Sequence, residues 1–112
     1  MTAWPDVDGY VNDQPGLSLG AARWLAEEQH VMAIGGDNLS LEHFPVEPGH
    51  NWIPVHTYLL AQRGIPIIEV VNLEELSRAR VYEFAFVAAS LRFRGASAAP
   101  FRPIAMPLRP RP

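Results

Sequence analysis

The chain has 112 residues, 48% of them hydrophobic and 19% charged, and this composition predicts one folded domain spanning 1–112 and excludes a disordered chain. No uncharged stretch reaches the roughly 20 apolar residues of a transmembrane helix, and the acidic start is unlike a signal peptide, so we expect a cytoplasmic protein with no membrane partner. Because the chain has no cysteine, any metal site must use histidine and carboxylate ligands.

The net charge of −3 is unevenly distributed, since residues 1–56 sum to −7 and residues 57–112 to +4. All basic residues are arginines, which favour planar, paired interactions. The arginines after Leu91 would suit a nucleic acid, but they are spread through apolar and proline-rich sequence rather than gathered on one basic face. We therefore expect no nucleic-acid partner and expect these arginines to pair with the acidic first half or with another subunit.

The first third of the chain predicts one helix and one strand. Residues 1–16 are expected to be extended or poorly ordered, and Ser18 is expected to cap a helix that runs to His30. The continuous apolar segment 31–34 then predicts a strand buried on both faces, which Gly35-Gly36 ends.

The middle of the chain predicts a loop, a helix and a second buried strand. Residues 38–54 form the loop, and Pro54 favours the start of a helix over 56–62. Gly64 is expected to end that helix in the left-handed conformation. The apolar segment 65–71 then predicts another strand buried on both faces.

The last third predicts a short helix and a hairpin. Asn72 with Glu75 resembles a capping box for a helix over 73–78. Residues 81–93 and 101–108 predict an antiparallel pair of strands, followed by a tail at 109–112. The whole pattern predicts an α/β fold of mixed α+β layers. Exposed sheet edges and apolar faces would then favour a homo-oligomer.

Glu69 fits its surroundings least, because a carboxylate inside the apolar segment 65–71 would lose its hydration in a central strand. Such a charge must be neutralised, paired or bound to a metal. His56 begins the preceding helix, and the return from helix to strand can bring the two side chains together. Imidazole with carboxylate is a normal ligand pair for Zn²⁺ or Mn²⁺. The alternatives are an arginine partner such as Arg92 or Arg102, exposure of Glu69, and a packing or capping role for His56.

Other polar and aromatic residues have weaker patterns. Asp37, on its glycine turn at a strand end, and Trp52, in the loop, are candidates for lining a substrate pocket, although Asp37 could equally stabilise its turn. His43 and His50 could add ligands, but their spacing has no recognised pattern, so solvated loop histidines are favoured. A further aromatic set has helix or strand spacing and is expected in the core: Trp24, Tyr58, Phe84 and Phe86.

Four segments together resemble one protein family. From His56 the sequence reads HTYLLAQRGIPIIEVVNLEEL, and from Tyr82 it reads YEFAFVAASLRFRGASAAPFRPIAMPL, while PGLSLGAARWL and VMAIGGDNLSLE stand upstream. In this order they resemble the C-terminal part of the cyclase family of metal-dependent hydrolases, which includes bacterial kynurenine formamidases and isatin hydrolases. The resemblance covers about residues 15–108. It implies the C-terminal portion of the swivelling β/β/α cyclase-family fold and a divalent metal bound by His56 and Glu69.

The family's motif H-x-G-T-H-x-D-x-P-x-H has no match in this sequence, in which no H-x-D occurs. The chain therefore resembles a truncated or split member whose catalytic residues are not assigned. The resemblance implies a metal-dependent hydrolase of amide or formamide C–N bonds, as in the arylformamidase step of tryptophan catabolism, acting on a small amide such as N-formylkynurenine or isatin. We expect it to be incomplete as a lone chain and to need a further copy or a complementary N-terminal half. The alternative is a non-catalytic oligomerising or ligand-binding remnant.

Overall fold

The computed structural model describes residues 13–49 and 51–108, which form short helices and two small sheets and confirm a mixture of α and β elements. In chain order the elements are α1 (Leu19–Glu27), β1 (Ile34–Gly35), α2 (Pro54–His56) continuing as a π-helix (Thr57–Gln62), β2 (Ile67–Ile68), α3 (Glu74–Ala79), β3 (Phe84–Val87) and β4 (Ile104–Pro107). None of the helices in these described ranges is long and apolar enough to cross a membrane.

The chain divides into two compact units, Met1–Asn72 and Leu73–Pro112, which we call unit 1 and unit 2. The predicted single domain stays a prediction. Most of the expected extended start (1–12), His50 and the expected tail (109–112) lie outside the described residues.

Helix α1 begins as the sequence predicts, because the Ser18 Oγ accepts a hydrogen bond from the Ala21 N–H at 3.2 Å. Ala22 and Ala26, one turn apart, are its buried residues. The helix ends at Glu27 rather than at the predicted His30, whose φ of 51° is left-handed and incompatible with a continuing helix.

Strands β1 and β2 form a parallel pair in unit 1, with Ile34 opposite Ile67 and Gly35 opposite Ile68. The prediction of two longer strands buried on both faces, over 31–34 and 65–71, is wrong. Each strand has two residues and is half-buried at most, and Met32 is 90% exposed. The physical reason is that one face of this two-stranded sheet packs on the core through Ile34 and Ile67, whereas no further described strand extends it.

Helix α2 begins at Pro54, two residues before the predicted start, and widens into the π-helix after His56. In the widened part the Arg63 N–H donates to the Tyr58 carbonyl at 3.0 Å, one residue further back than in an α-helix. Gly64, with φ of +66°, ends the helix in the left-handed conformation, as the sequence predicts.

The core lies entirely in unit 1 among the described residues. It joins α1, the loop before α2 and the helix that follows, and its buried members are Ala22, Ala26, Leu41, Val55, Tyr58 and Leu59. Of the four aromatic residues expected in the core, Tyr58 is confirmed and Phe84 is half-buried. The prediction is wrong for Trp24 and Phe86, which are 54% and 47% exposed because each lies on an uncovered face of its element.

Unit 2 contains α3 and the antiparallel pair β3–β4, in which Phe84 lies opposite Pro107 and Val87 opposite Ile104. The antiparallel pair is confirmed, with each strand shorter than predicted. Helix α3 begins at Glu74 with Leu73 as its N-cap residue, one position after the predicted cap Asn72. No residue of unit 2 is buried within the range that the structure describes, 73–108.

Candidate cation site around His56

The imidazole of His56 lies between two carboxylates. Its Nδ1 is 3.0 Å from the Glu42 Oε1, and its Nε2 is 3.1 Å from the Glu69 Oε1. His56 ends α2, Glu42 lies in the loop before that helix, and Glu69 directly follows β2. The structure thus brings together the two predicted ligands, and it adds a carboxylate that the sequence patterns did not single out.

Glu69 reaches His56 through the alternation of side chains along β2. Ile67 packs against the core, and a residue two positions later points to the same face of a strand, which here is the face towards α2. The prediction that Glu69 is buried inside a strand is wrong, because the strand ends at Ile68 and the Glu69 side chain keeps 34% of its accessible surface. Its partner in unit 1 is His56.

The chain bulges directly after Glu69. The Gly36 N–H donates to the Ile68 carbonyl at 3.0 Å, but the Gly36 carbonyl accepts from Val71 at 3.1 Å, one residue further than a regular parallel ladder requires. The extra residue is Val70, whose φ of 55° is unfavourable for a β-branched side chain and costs on the order of 1–3 kcal/mol. The strand pairing therefore breaks at the residue whose side chain meets the histidine.

Glu42 is held in the interior and contacts both the backbone and the ring of His56. Its side chain is 1% exposed. The Oε1 accepts from the His56 N–H at 2.9 Å, and the Oε2 accepts from the Val55 N–H at 3.3 Å. These N–H groups belong to the first turn of α2, where backbone donors have no partner within the helix and a negative charge is favourable.

A close backbone contact fixes the position of Glu42. The His43 N–H donates to the Leu17 carbonyl at 3.0 Å, and the Leu17 N–H donates to the Leu41 carbonyl at 2.7 Å. A Cβ on Gly16 would lie 2.0 Å from the Glu42 carbonyl oxygen, so only glycine fits there. Glu42 therefore sits in a loop that unit 1 holds tightly.

The hydrogen-bonding capacity of the ring limits what can lie between His56 and Glu69. A neutral imidazole carries one N–H, and both carboxylates can only accept, but Glu42 is the more buried of the two, so its bond is the stronger and the proton is favoured on Nδ1. The Nε2 lone pair would then face a carboxylate oxygen at 3.1 Å, and two acceptors at that distance repel. A hydrogen on Nε2, or a metal cation between the two atoms, would remove this repulsion.

A second polar cluster steadies the helix that carries His56. The Tyr58 hydroxyl donates to the Glu27 Oε1 at 2.7 Å, which links the π-helix to α1. The guanidinium groups of Arg23 and Arg63 lie 5.8 and 5.9 Å from the centre of the Tyr58 ring. Burial raises the pKa of Tyr58, and its hydrogen bond to Glu27 raises that pKa further.

The remaining candidates have exposed side chains. Asp37 follows the glycine turn and is exposed, Trp52 is 76% exposed two residues before α2, and His43 is exposed. A pocket role for Asp37 and Trp52 stays a prediction. Within 13–49 and 51–108 no group of three or more side chains is arranged to hold a metal ion.

The chain matches no protein-family model, no curated protein and no solved structure. Its resemblance to the cyclase family therefore stays a prediction from the sequence, and the arguments below depend on the geometry around His56.

Proposed function

We propose that His56 and Glu69 are two ligands of a divalent cation, Zn²⁺ or Mn²⁺, in a hydrolase of amide or formamide C–N bonds. The observation that supports this most is the pairing of Nε2 with a partly exposed carboxylate while a buried carboxylate engages Nδ1. Metal-binding histidines commonly have this arrangement, in which the second ring nitrogen donates to a carboxylate.

The separation of the two donor atoms suits a small cation. Two ligand atoms that each lie about 2.1 Å from a tetrahedral zinc ion are roughly 3.4 Å apart. The Nε2 of His56 and the Oε1 of Glu69 are 3.1 Å apart, and both side chains are partly exposed. An opening of about 0.3 Å would admit the ion without moving the backbone.

Two protein ligands are fewer than the three of a typical catalytic zinc site. The proposal therefore requires further ligands from another chain, either a second copy or a complementary N-terminal half of a cyclase-type enzyme with the swivelling β/β/α fold. A bound divalent metal would activate water and polarise the carbonyl of the amide. In this chain Glu69 would supply a negative ligand and His56 a neutral one, and Asp37 and Trp52 would line the pocket for a small amide in the cytoplasm.

A non-catalytic oligomerising module is the second candidate, and the exposed apolar surface of unit 2 favours it. The β3–β4 hairpin and the segments beside it expose large apolar side chains. None of the described residues of unit 2 is buried. These side chains are Tyr82, Phe86, Val87, Leu91, Phe93, Ile104, Met106 and Leu108. Exposed apolar surface of this kind favours association with another chain.

Metal binding is tested by titrating the full chain with Zn²⁺ and with Mn²⁺ in a calorimeter. We expect a saturable site whose affinity falls at least about 100-fold in Glu69→Gln, since a direct ligand loses its charge. Glu28→Gln, an exposed glutamate at the end of α1, is the matched control and is expected to bind like the wild type. Absence of a saturable site, or equal affinity in the two variants, would contradict the metal role.

Hydrolysis is tested separately with N-formylkynurenine and isatin, using metal-loaded protein over a range of concentrations. We expect a rate per chain that rises with protein concentration, because the site needs ligands from another chain. A metal-bound oligomer that hydrolyses neither compound would contradict the hydrolase proposal and support the oligomerising module.

A further inference from the structure

We propose that Glu42 is a positioning residue that selects Nε2 of His56 as the cation-binding nitrogen. This inference rests on the proposed function and deepens it, because the choice of nitrogen matters only if a cation binds at the ring. Glu42 does not itself touch the proposed cation.

Both oxygens of Glu42 are already engaged. The Oε1 accepts from the His56 N–H at 2.9 Å and lies 3.0 Å from Nδ1, and the Oε2 accepts from the Val55 N–H at 3.3 Å. The side chain is 1% exposed, so it has no route to solvent. Glu42 therefore differs from Glu69, which keeps 34% of its side-chain surface and is free to bind an ion.

One carboxylate oxygen holds both the backbone and the ring of His56. The bond to the backbone N–H fixes where the Cα lies, and the contact with Nδ1 fixes the rotation of the ring. A ring held at two points presents Nε2 in one direction, which is the direction of Glu69. This is the preorganisation that a metal ligand needs from its supporting residues.

Glu42 also determines the position of the ring proton. Both ionised carboxylates can only accept hydrogen bonds, but Glu42 is 1% exposed and Glu69 34% exposed, so the bond to Glu42 lies in the lower dielectric and favours the ring form with a proton on Nδ1. The lone pair is then on Nε2, the nitrogen that faces the partly exposed carboxylate. If the proton were on Nε2 instead, that nitrogen could not bind a cation.

The test compares Glu42→Met, which has no oxygen acceptor, with Glu69→Gln and the control Glu28→Gln by ¹⁵N NMR of the histidine rings in metal-free full-length protein. A glutamine at position 42 would not serve, because its amide oxygen could still accept from both the His56 backbone N–H and Nδ1. We expect Nδ1 of His56 to carry a proton in the wild type, in Glu69→Gln and in Glu28→Gln, and we expect the proton to reside mainly on Nε2 in Glu42→Met. Zinc affinity is expected to fall about 10- to 100-fold in Glu42→Met, the usual effect of losing a carboxylate behind a ligand.

The outcomes separate this inference from the proposed function. Zinc binding that depends on Glu69, with an Nδ1 proton that persists in a folded Glu42→Met, would overturn the positioning role alone. The expected ring protons without any zinc binding to the wild type would overturn the proposed function alone. If Glu42→Met does not fold, the wild-type spectrum decides, because a slowly exchanging Nδ1 proton is required and its absence overturns the inference.

Discussion

Units 1 and 2 differ in how they use their apolar residues. The described part of unit 1 buries six apolar side chains around α1 and the π-helix, and it also buries Gln14 and Glu42. The described part of unit 2 has no buried residue, and both faces of its hairpin expose apolar side chains such as Phe86 and Ile104. An isolated two-stranded hairpin is marginally stable in water. The described part of unit 1 therefore has a packed core beside the candidate site, whereas the large apolar side chains of unit 2 are exposed.

The charge of the chain follows the same division. Residues 1–72 sum to −7 and residues 73–112 to +4, so the unit with the buried core is acidic and the unit with the exposed apolar hairpin is basic.

The largest expected difference is in the cost of removing an apolar side chain. Leu59 is fully buried, and Leu59→Ala is expected to lower the free energy of unfolding by about 2–5 kcal/mol. Phe86 is 47% exposed, and Phe86→Ala is expected to cost less than about 1 kcal/mol in a monomer. Urea unfolding at low protein concentration measures both. Equal losses in the two variants would break the distinction between the units.

The next difference concerns glycines. Gly16→Ala places a Cβ 2.0 Å from the Glu42 carbonyl oxygen, and we expect a loss of about 2 kcal/mol or more together with weaker zinc binding. Gly95, in unit 2, has φ of +80° and open space around its Cα, so Gly95→Ala is expected to cost only about 1 kcal/mol and to leave zinc binding unchanged. Thermal unfolding and zinc titration give the two readouts. Unchanged zinc binding in a folded Gly16→Ala would contradict the role given to the loop that holds Glu42.

The smallest expected effect is at high pH. Because the pKa of Tyr58 is raised above its ordinary value of 10.0, the unfolded chain loses this proton first. The stabilisation is therefore complete below about pH 10 and is lost as the pH rises through the higher pKa of the folded state. We expect the urea midpoint to fall less steeply above pH 10 in Tyr58→Phe than in the wild type. Tyr82 of unit 2 is 82% exposed, so the urea midpoint of Tyr82→Phe should follow that of the wild type. If the midpoint of Tyr58→Phe also falls as steeply as that of the wild type, the raised pKa of Tyr58 does not contribute to stability.

Local signals in the sequence predict the local structure well. Ser18 predicts the start of α1, and Gly64 predicts the end of the π-helix. Two segments rich in β-branched and aromatic residues, joined by a turn of small residues, predict the antiparallel pair. Each of these depends on a few neighbouring residues. The sequence overestimates the length and the burial of β1 and β2. An apolar segment is compatible with a buried strand, but it does not show whether other elements cover both faces, as the exposure of Met32 illustrates.

The candidate site also combines residues that the sequence predicts with one that it does not. His56 and Glu69 stand out because a carboxylate interrupts an apolar segment after a helix. Glu42 lies in a loop with no motif, and its role follows from the contact with Leu17 and the close approach at Gly16, which are long-range features. The one local hint was Gly16 itself, which the sequence explains equally well as part of a Pro-Gly turn.

The most direct measurement is a crystal of the full chain grown with zinc and measured at the zinc absorption edge. We predict an anomalous peak about 2.0–2.2 Å from the His56 Nε2 and from a carboxylate oxygen of Glu69, with Glu42 still on Nδ1. A peak on Nδ1, or zinc bound only elsewhere while the Nε2 to Glu69 contact stays closed, would contradict the account.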